Sequence, residues 1–272
     1  ACQCALRTQK VGRECADLGG RLSPLQPRQQ PHAQGRQPSS QAIQCALAAL
    51  PEASGERQGQ AGNGTPLRLL IVGDSAAAGV GAATQDEALS GQLVAQLAGD
   101  YQLNWTLWAQ SGLDSRALLT LLEEQDAQPF DVALLSIGVN DVTSRIRLEP
   151  WLMLQQRLLQ LLRDKFGVNQ IIVSPLPPMH LFPALPRPLR GYLGSRSRRF
   201  NQQLATLVEQ TAGCTLLDIN LSPAAGQMAR DGFHPGPMIY SQWAEHAART
   251  IIQSSPIEFE RKTAGATQRA DD

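Results

Sequence analysis

The sequence predicts an α/β fold organised on a five-stranded parallel sheet, and three observations lead there. From Leu67 onward, short apolar runs alternate with amphipathic stretches, which is the rhythm of βαβ units. The apolar runs lack strict alternation, as expected of strands covered by helices on both faces. At 272 residues and 42% hydrophobic content, the chain can enclose a sizeable core in one domain with tails.

Taken in order, Leu67–Val72 is the first predicted strand, and Gln85–Ala98 the helix that returns from it. Leu103–Ala109 and Ser115–Glu124 form the next strand and helix, followed by the strand Asp131–Ile137. The helix Glu149–Phe166 has Pro150 near its start and Gly167 as its stop. Along it, Trp151, Leu154, Leu158 and Leu161 fall at three- and four-residue spacing and form a core stripe. Asn169–Ser174 is the fourth strand, Ser195–Thr211 the next helix with Gly213 as its stop, Thr215–Ile219 the fifth strand, and Met238–Gln253 the last helix.

Outside this pattern, residues 1–65 contain no Phe, Trp or Tyr but eleven Gln, and so offer little surface for a core. They are expected to be a disordered or appended segment, with residues 66–254 as the folded domain and 255–272 as a polar tail. Within the first segment, Ile43–Leu50 has only the length of a marginal helix. Formal net charge is zero, so nothing global recruits nucleic acid or an anionic surface. No apolar stretch reaches the about 18 residues of a membrane span, which argues against stable insertion. The first residues, Ala1-Cys2-Gln3-Cys4, show no charged leader followed by an apolar core, and cytoplasmic and processed exported forms both stay open. Of five cysteines, Cys2, Cys4, Cys15 and Cys45 lie in the first segment without histidines at zinc-site spacing, and Cys214 reads as a packed thiol.

Candidate chemistry gathers at the carboxyl ends of the predicted strands. Ser75 follows Leu69-Leu70-Ile71-Val72-Gly73-Asp74, and the small residues after it, Ala76 to Gly81, leave room for a substrate carbonyl and lead toward a helix whose N-terminus would favour negative charge. The flanking pattern is neither a Gly-x-Ser-x-Gly elbow nor a phosphate loop. In Asp231-Gly232-Phe233-His234-Pro235-Gly236, His234 can act as a general base and Asp231, three residues earlier, can accept its Nδ1–H and set the tautomer. His32, His180 and His246 occupy less suitable contexts. Acyl transfer also needs donors for an oxyanion, and Gly112 and Asn140, after the second and third strands, can supply a closely approaching N–H and a neutral side-chain amide. Separately, each piece also fits a turn or a helix cap. A loop with six prolines within fourteen residues, Pro175 to Pro188, follows the fourth strand. Its Met179, Leu181, Phe182 and Leu185 are expected either to wall a substrate pocket or simply to cover the core.

Taken jointly, Gly73-Asp74-Ser75, Gly112, Gly138-Val139-Asn140-Asp141 and Asp231-Gly232-Phe233-His234-Pro235 resemble the signature blocks of the SGNH hydrolases, the GDSL lipases and esterases of bacterial acylhydrolase type. The resemblance covers about residues 67–253. It implies a flavodoxin-like three-layer α/β/α sandwich, Ser75 as nucleophile, His234 as base, Asp231 as its partner, and an oxyanion hole of Ser75 N–H, Gly112 N–H and Asn140. It also implies a small-molecule ester as substrate, with neither metal nor cofactor required. Where the family commonly has Leu after Gly-Asp-Ser, this chain has Ala76, which enlarges the space beside the nucleophile and puts substrate preference in question. Asp74 and Asp141 are expected to brace their loops. The resulting expectation is a serine esterase for short-chain acyl esters. Carbohydrate deacetylation, thioester hydrolysis and lysophospholipid cleavage stand as alternatives of the same chemistry, and a non-catalytic binding module as one of another class. Nucleotide binding lacks its Gly-x-Gly-x-x-Gly turn.

Overall fold

A computed structural model describes residues 50–219 and 226–254. The elements are β1 (Gln58–Ala61), β2 (Thr65–Gly73), α1 (Leu89–Leu97), β3 (Tyr101–Ala109), α2 (Ser115–Glu124), β4 (Val132–Ser136), α3 (Val139–Thr143), α4 (Leu148–Phe166), β5 (Gln170–Val173), α5 (Leu189–Glu209), β6 (Cys214–Leu216) and α6 (Pro237–Gln253). The strands form one sheet in the order β1-β3-β2-β4-β5-β6. All neighbours are parallel except β1 and β3, which pair antiparallel.

Two apolar layers flank the sheet. On one face Leu70, Val72, Ala133, Leu135, Ile171 and Val173 pack under α2, α4 and α5, with Trp151 and Phe166 buried in α4. On the other, Leu69, Ile71, Leu103, Leu107, Leu134 and Ile172 pack under α1 and α6. The result is a mostly parallel α/β/α sandwich, with its core on both sides of β2 and β4.

Three expectations are corrected. The sheet has six strands among the described residues, because β1 lies inside the segment expected to be disordered; Ala53 there is buried, and residues 1–49 fall outside the described residues, as do the tail beyond 254, Cys2, Cys4, Cys15, Cys45, His32 and most of Ile43–Leu50. β1 consists of polar and small residues, Gln-Gly-Gln-Ala; it is an edge strand bonded through its backbone, and such pairing leaves no hydrophobic pattern to detect. β3 alternates after all. Its odd-numbered residues from Tyr101 to Ala109 are buried, whereas Gln102 and Asn104 are exposed, since it lies toward the edge where cover on one face thins out. Finally, the helix expected over Gln85–Ala98 is shorter: the chain turns through Ala76–Gly81, makes a single 3-10 turn at Gln85–Glu87, and α1 begins only at Leu89.

The topology sets where loops can meet. From β2 the chain moves to β3 on one side and, later, to β4 on the other, so a crevice opens at the carboxyl end of β2 between diverging connections. Register places Gly73 beside both Ala109 and Ser136 at that edge. Gly73 is required there, because a Cβ on it would lie 2.1 Å from Ser136 C=O. Ser75, Gly112 and Asn140 follow these three aligned strand ends within a few residues.

Candidate active site

The turn after β2 is tightly wound: Ala78 N–H donates to Asp74 C=O at 2.9 Å, and Val80 N–H to Ser75 C=O at 3.0 Å. Asp74 lies buried beneath it, and its Oδ1 accepts Ala76 N–H at 3.1 Å. Burial pushes the Asp74 carboxyl up to about 7; the nearby Asp141 adds to the rise, and the bond from Ala76 opposes it. The same turn is anchored from α6, where the buried Tyr240 hydroxyl donates to Val80 C=O at 2.7 Å.

Ser75 Oγ lies 3.0 Å from His234 Nε2, across 159 positions of sequence. His234 Nδ1 lies 2.6 Å from Asp231 Oδ2. The other oxygen of Asp231 accepts the backbone N–H groups of Phe233 at 2.9 Å and His234 at 3.0 Å, closing the loop on itself. Burial raises the Asp231 carboxyl, but the bonds from His234 and Phe233 outweigh it and hold the group below its usual range. The 2.6 Å contact to a carboxylate makes Nδ1 the protonated nitrogen, which leaves the Nε2 lone pair facing the serine hydroxyl.

Gly112 and Asn140 lie on the flanking loops. Gly112 has φ +85°, a left-handed backbone that favours glycine, and open space where a Cβ would stand. Asn140, in the first turn of α3, donates one Nδ2–H to Leu113 C=O at 2.7 Å, and its amide carries a second N–H. Neither Ser75 N–H nor Gly112 N–H has a protein acceptor among the described residues. Asp141 accepts Ser115 N–H at 3.0 Å and Ser115 Oγ–H at 2.8 Å, and the buried Gln155 donates to the same hydroxyl at 2.7 Å. Burial pushes Asp141 up to about 6, against the bonds from Ser115 and with a contribution from Asp114. Asp74 and Asp141 therefore brace loops, in keeping with the sequence expectation. The part played by Gln155, a polar residue on the buried side of a helix, leaves no motif in the sequence.

A cleft with about 860 Å³ of empty space, mouth included, opens beside Ser75 and His234. Its walls include Ala76, Ile137, Leu176, Phe182, Phe233 and Trp243. Of the expected wall residues, Ala76 and Phe182 line it; Met179, Leu181 and Leu185 do not. Met179 and Leu185 are buried in the core, because the proline-rich loop turns them inward through a 3-10 turn at Met179–Leu181, and Leu181 stays 39% exposed. In their place stand residues far along the chain, among them Met228, Ile239 and Trp243, whose indole donates to Ser174 Oγ at 3.1 Å. Among the described residues, no group of three or more His, Cys, Asp or Glu is arranged to hold a metal ion, and no helix is long and apolar enough to cross a membrane.

The sequence model of the GDSL-like lipase/acylhydrolase family matches residues 71–241, more than half of the chain. The chain belongs to this family. It is 25% identical over 190 residues to the GDSL-like esterase Rv1075c of Mycobacterium tuberculosis, an alignment covering 66% of this chain. The chain spans 60% of the length of that curated relative. In fold it is similar to the acetylxylan esterase Axe2 from Geobacillus stearothermophilus, with a TM-score of 0.51 and 19% identity over 69% of this chain and 95% of the other. A member of the lipolytic protein G-D-S-L family from Veillonella parvula gives a TM-score of 0.54 at 16% identity, covering 67% of this chain and 96% of that one. The psychrotrophic esterase EstA from Pseudoalteromonas sp. gives 0.53 at 18% identity, with 68% and 97% covered. At these identities the likeness is one of fold, the mostly parallel α/β/α sandwich.

Proposed function

We propose that the chain is a serine-dependent carboxylic ester hydrolase working through an acyl-enzyme on Ser75. The observation that carries this reading is the continuous line of hydrogen bonds from Asp231 through His234 to Ser75, ending at an apolar cleft. With an ester in the cleft, Ser75 Oγ attacks the carbonyl carbon as its proton passes to His234 Nε2. Nδ1–H stays on Asp231, whose negative charge stabilises the imidazolium that forms. The carbonyl oxygen becomes an oxyanion, received by Ser75 N–H, Gly112 N–H and the second N–H of Asn140. Collapse expels the alcohol with the proton from Nε2 and leaves the acyl group on Oγ. Water, deprotonated by the same nitrogen, then hydrolyses that ester and frees the serine.

The walls of the cleft suit an aliphatic acyl group, the small Ala76 gives it room beside the nucleophile, and the acyl chain we propose is a short one. Each methylene that finds an apolar wall is worth about 0.8 kcal/mol, so rates should rise with chain length only while the cleft has room. Activity on p-nitrophenyl acetate and butyrate, lost in Ser75→Ala, together with an organophosphonate adduct mapped to Ser75, would support the assignment. A Ser75→Ala protein with the parental rate overturns it. A non-catalytic binding module predicts neither product burst nor adduct. Rates that climb steadily toward palmitate esters overturn the short-chain preference.

A further inference from the structure

Gly112 has nothing packed where a side chain would be, so the direction of its N–H is set by the bonds its neighbours make. On one side these are the bonds already described, from Asn140 to Leu113 and from Ser115 to Asp141. On the other, Ser111 N–H donates to Glu52 Oε1 at 2.6 Å. The second oxygen of Glu52 pairs with Arg57 Nη1 at 3.0 Å. Arg57 in turn reaches Ala109 C=O with Nη2, and its own C=O accepts Leu107 N–H at 2.7 Å.

The segment bearing this pair is fastened to the nucleophile loop as well. Gln85 Nε2 donates to Ala53 C=O and to Ala78 C=O, both at 3.1 Å, and Gln85 N–H donates to Ser54 C=O at 2.7 Å. Burial raises the Glu52 carboxyl, but the bonds from Ser111 and Arg57 hold it below its usual range. It is therefore a carboxylate at neutral pH. Glu52 and Arg57 precede the span that matches the family, residues 71–241.

We propose that Glu52, held by Arg57, is a positioning residue for the oxyanion: it clamps Ser111 and so fixes the direction of the next N–H in the chain, that of Gly112, the proposed oxyanion donor. The proposal rests on the ester hydrolase reading above. Glu52 does not line the cleft. Its effect appears when charge develops on the carbonyl oxygen and is nearly absent when substrate merely binds.

The test compares Glu52→Ala, Glu52→Gln and Arg57→Ala with the parent protein. In Glu52→Ala, kcat on p-nitrophenyl butyrate should fall about tenfold or more, since small misplacements of a catalytic group cost up to about 10²-fold, with KM within about twofold. Inactivation by the organophosphonate should slow in parallel. Glu52→Gln keeps an oxygen acceptor for Ser111 N–H and should recover most of the loss, whereas Arg57→Ala should fall between the two. Amide hydrogen exchange provides an arm independent of catalysis: exchange at Ser111 should accelerate in Glu52→Ala while β2 and β4 stay protected. Unchanged kcat in Glu52→Ala, or unchanged exchange at Ser111, overturns the proposal. A parent protein that neither hydrolyses esters nor takes the label brings down the hydrolase reading instead, and the exchange arm still decides whether Glu52 clamps the loop.

Discussion

Asp74→Asn isolates the effect of burying a carboxyl under the nucleophile turn. Asp74 is 2% exposed, and burial carries its carboxyl from an ordinary 3.8 up to about 7. A raised acid pKa means that the folded state holds the proton more tightly than the unfolded one, so stability is lost as pH rises from about 4 through 7 and the loss is complete above that. The interval corresponds to a penalty on the order of 4 kcal/mol above neutral pH. Asparagine keeps an oxygen for Ala76 N–H but adds a buried amide N–H₂ that needs acceptors, at a cost of about 1–3 kcal/mol. The net expectation is a gain of about 2 kcal/mol near pH 8 and a loss of about 2 kcal/mol near pH 4, where the carboxyl is protonated in the folded protein and only the cost of the amide remains. Urea unfolding of parent and variant at several pH values between 4 and 9 measures it directly. A stability difference that stays constant across that range refutes the reasoning.

Other expectations concern the site. Asn140→Ala removes a proposed oxyanion donor and the tie to Leu113, and kcat should drop about 10²–10³-fold with little change in KM; steady-state kinetics showing less than a threefold loss would exclude the amide from that role. Asp231→Asn can no longer accept Nδ1–H in the same way, which favours the wrong tautomer. Its kcat should fall by about 10³–10⁴-fold while circular dichroism stays parental. Parental activity at neutral pH in that variant would show that His234 does not depend on Asp231.

Ser75, Gly112 and Asn140 were legible in the sequence because each follows a strand end. Apolar runs with glycine or small residues just beyond them mark the carboxyl edge of a parallel sheet, and Gly73, Ala109 and Ser136 stand side by side there. Asp231 and His234 were legible because a short turn can close their contact locally, with the backbone N–H groups of Phe233 and His234 completing it. The cleft walls were not. Met179 and Phe182 look equivalent in the proline-rich loop, and only its fold turns Met179 into the core and leaves Phe182 on the cavity. Trp243 and Ile239 occupy the apolar face of α6, where helix periodicity cannot separate a core contact from a cleft contact. Nor did Glu52 stand out, since one carboxylate in a polar segment becomes meaningful only through a bond to Ser111, 59 positions away.

The antiparallel pairing of β1 along β3 has a consequence for solubility. β3 is long and twisted into the sheet, and without β1 its outer row of N–H and C=O groups, from Leu103 to Thr106, would be open to strands from other molecules. Four polar or small residues, Gln58 to Ala61, close that edge, and Gly59 lies flat against the Trp105 indole. A chain shortened to begin at Thr65, the start of β2, would therefore keep Ser75, Asp231 and His234 and still be prone to self-association, because it has lost the seal along the side of the sheet.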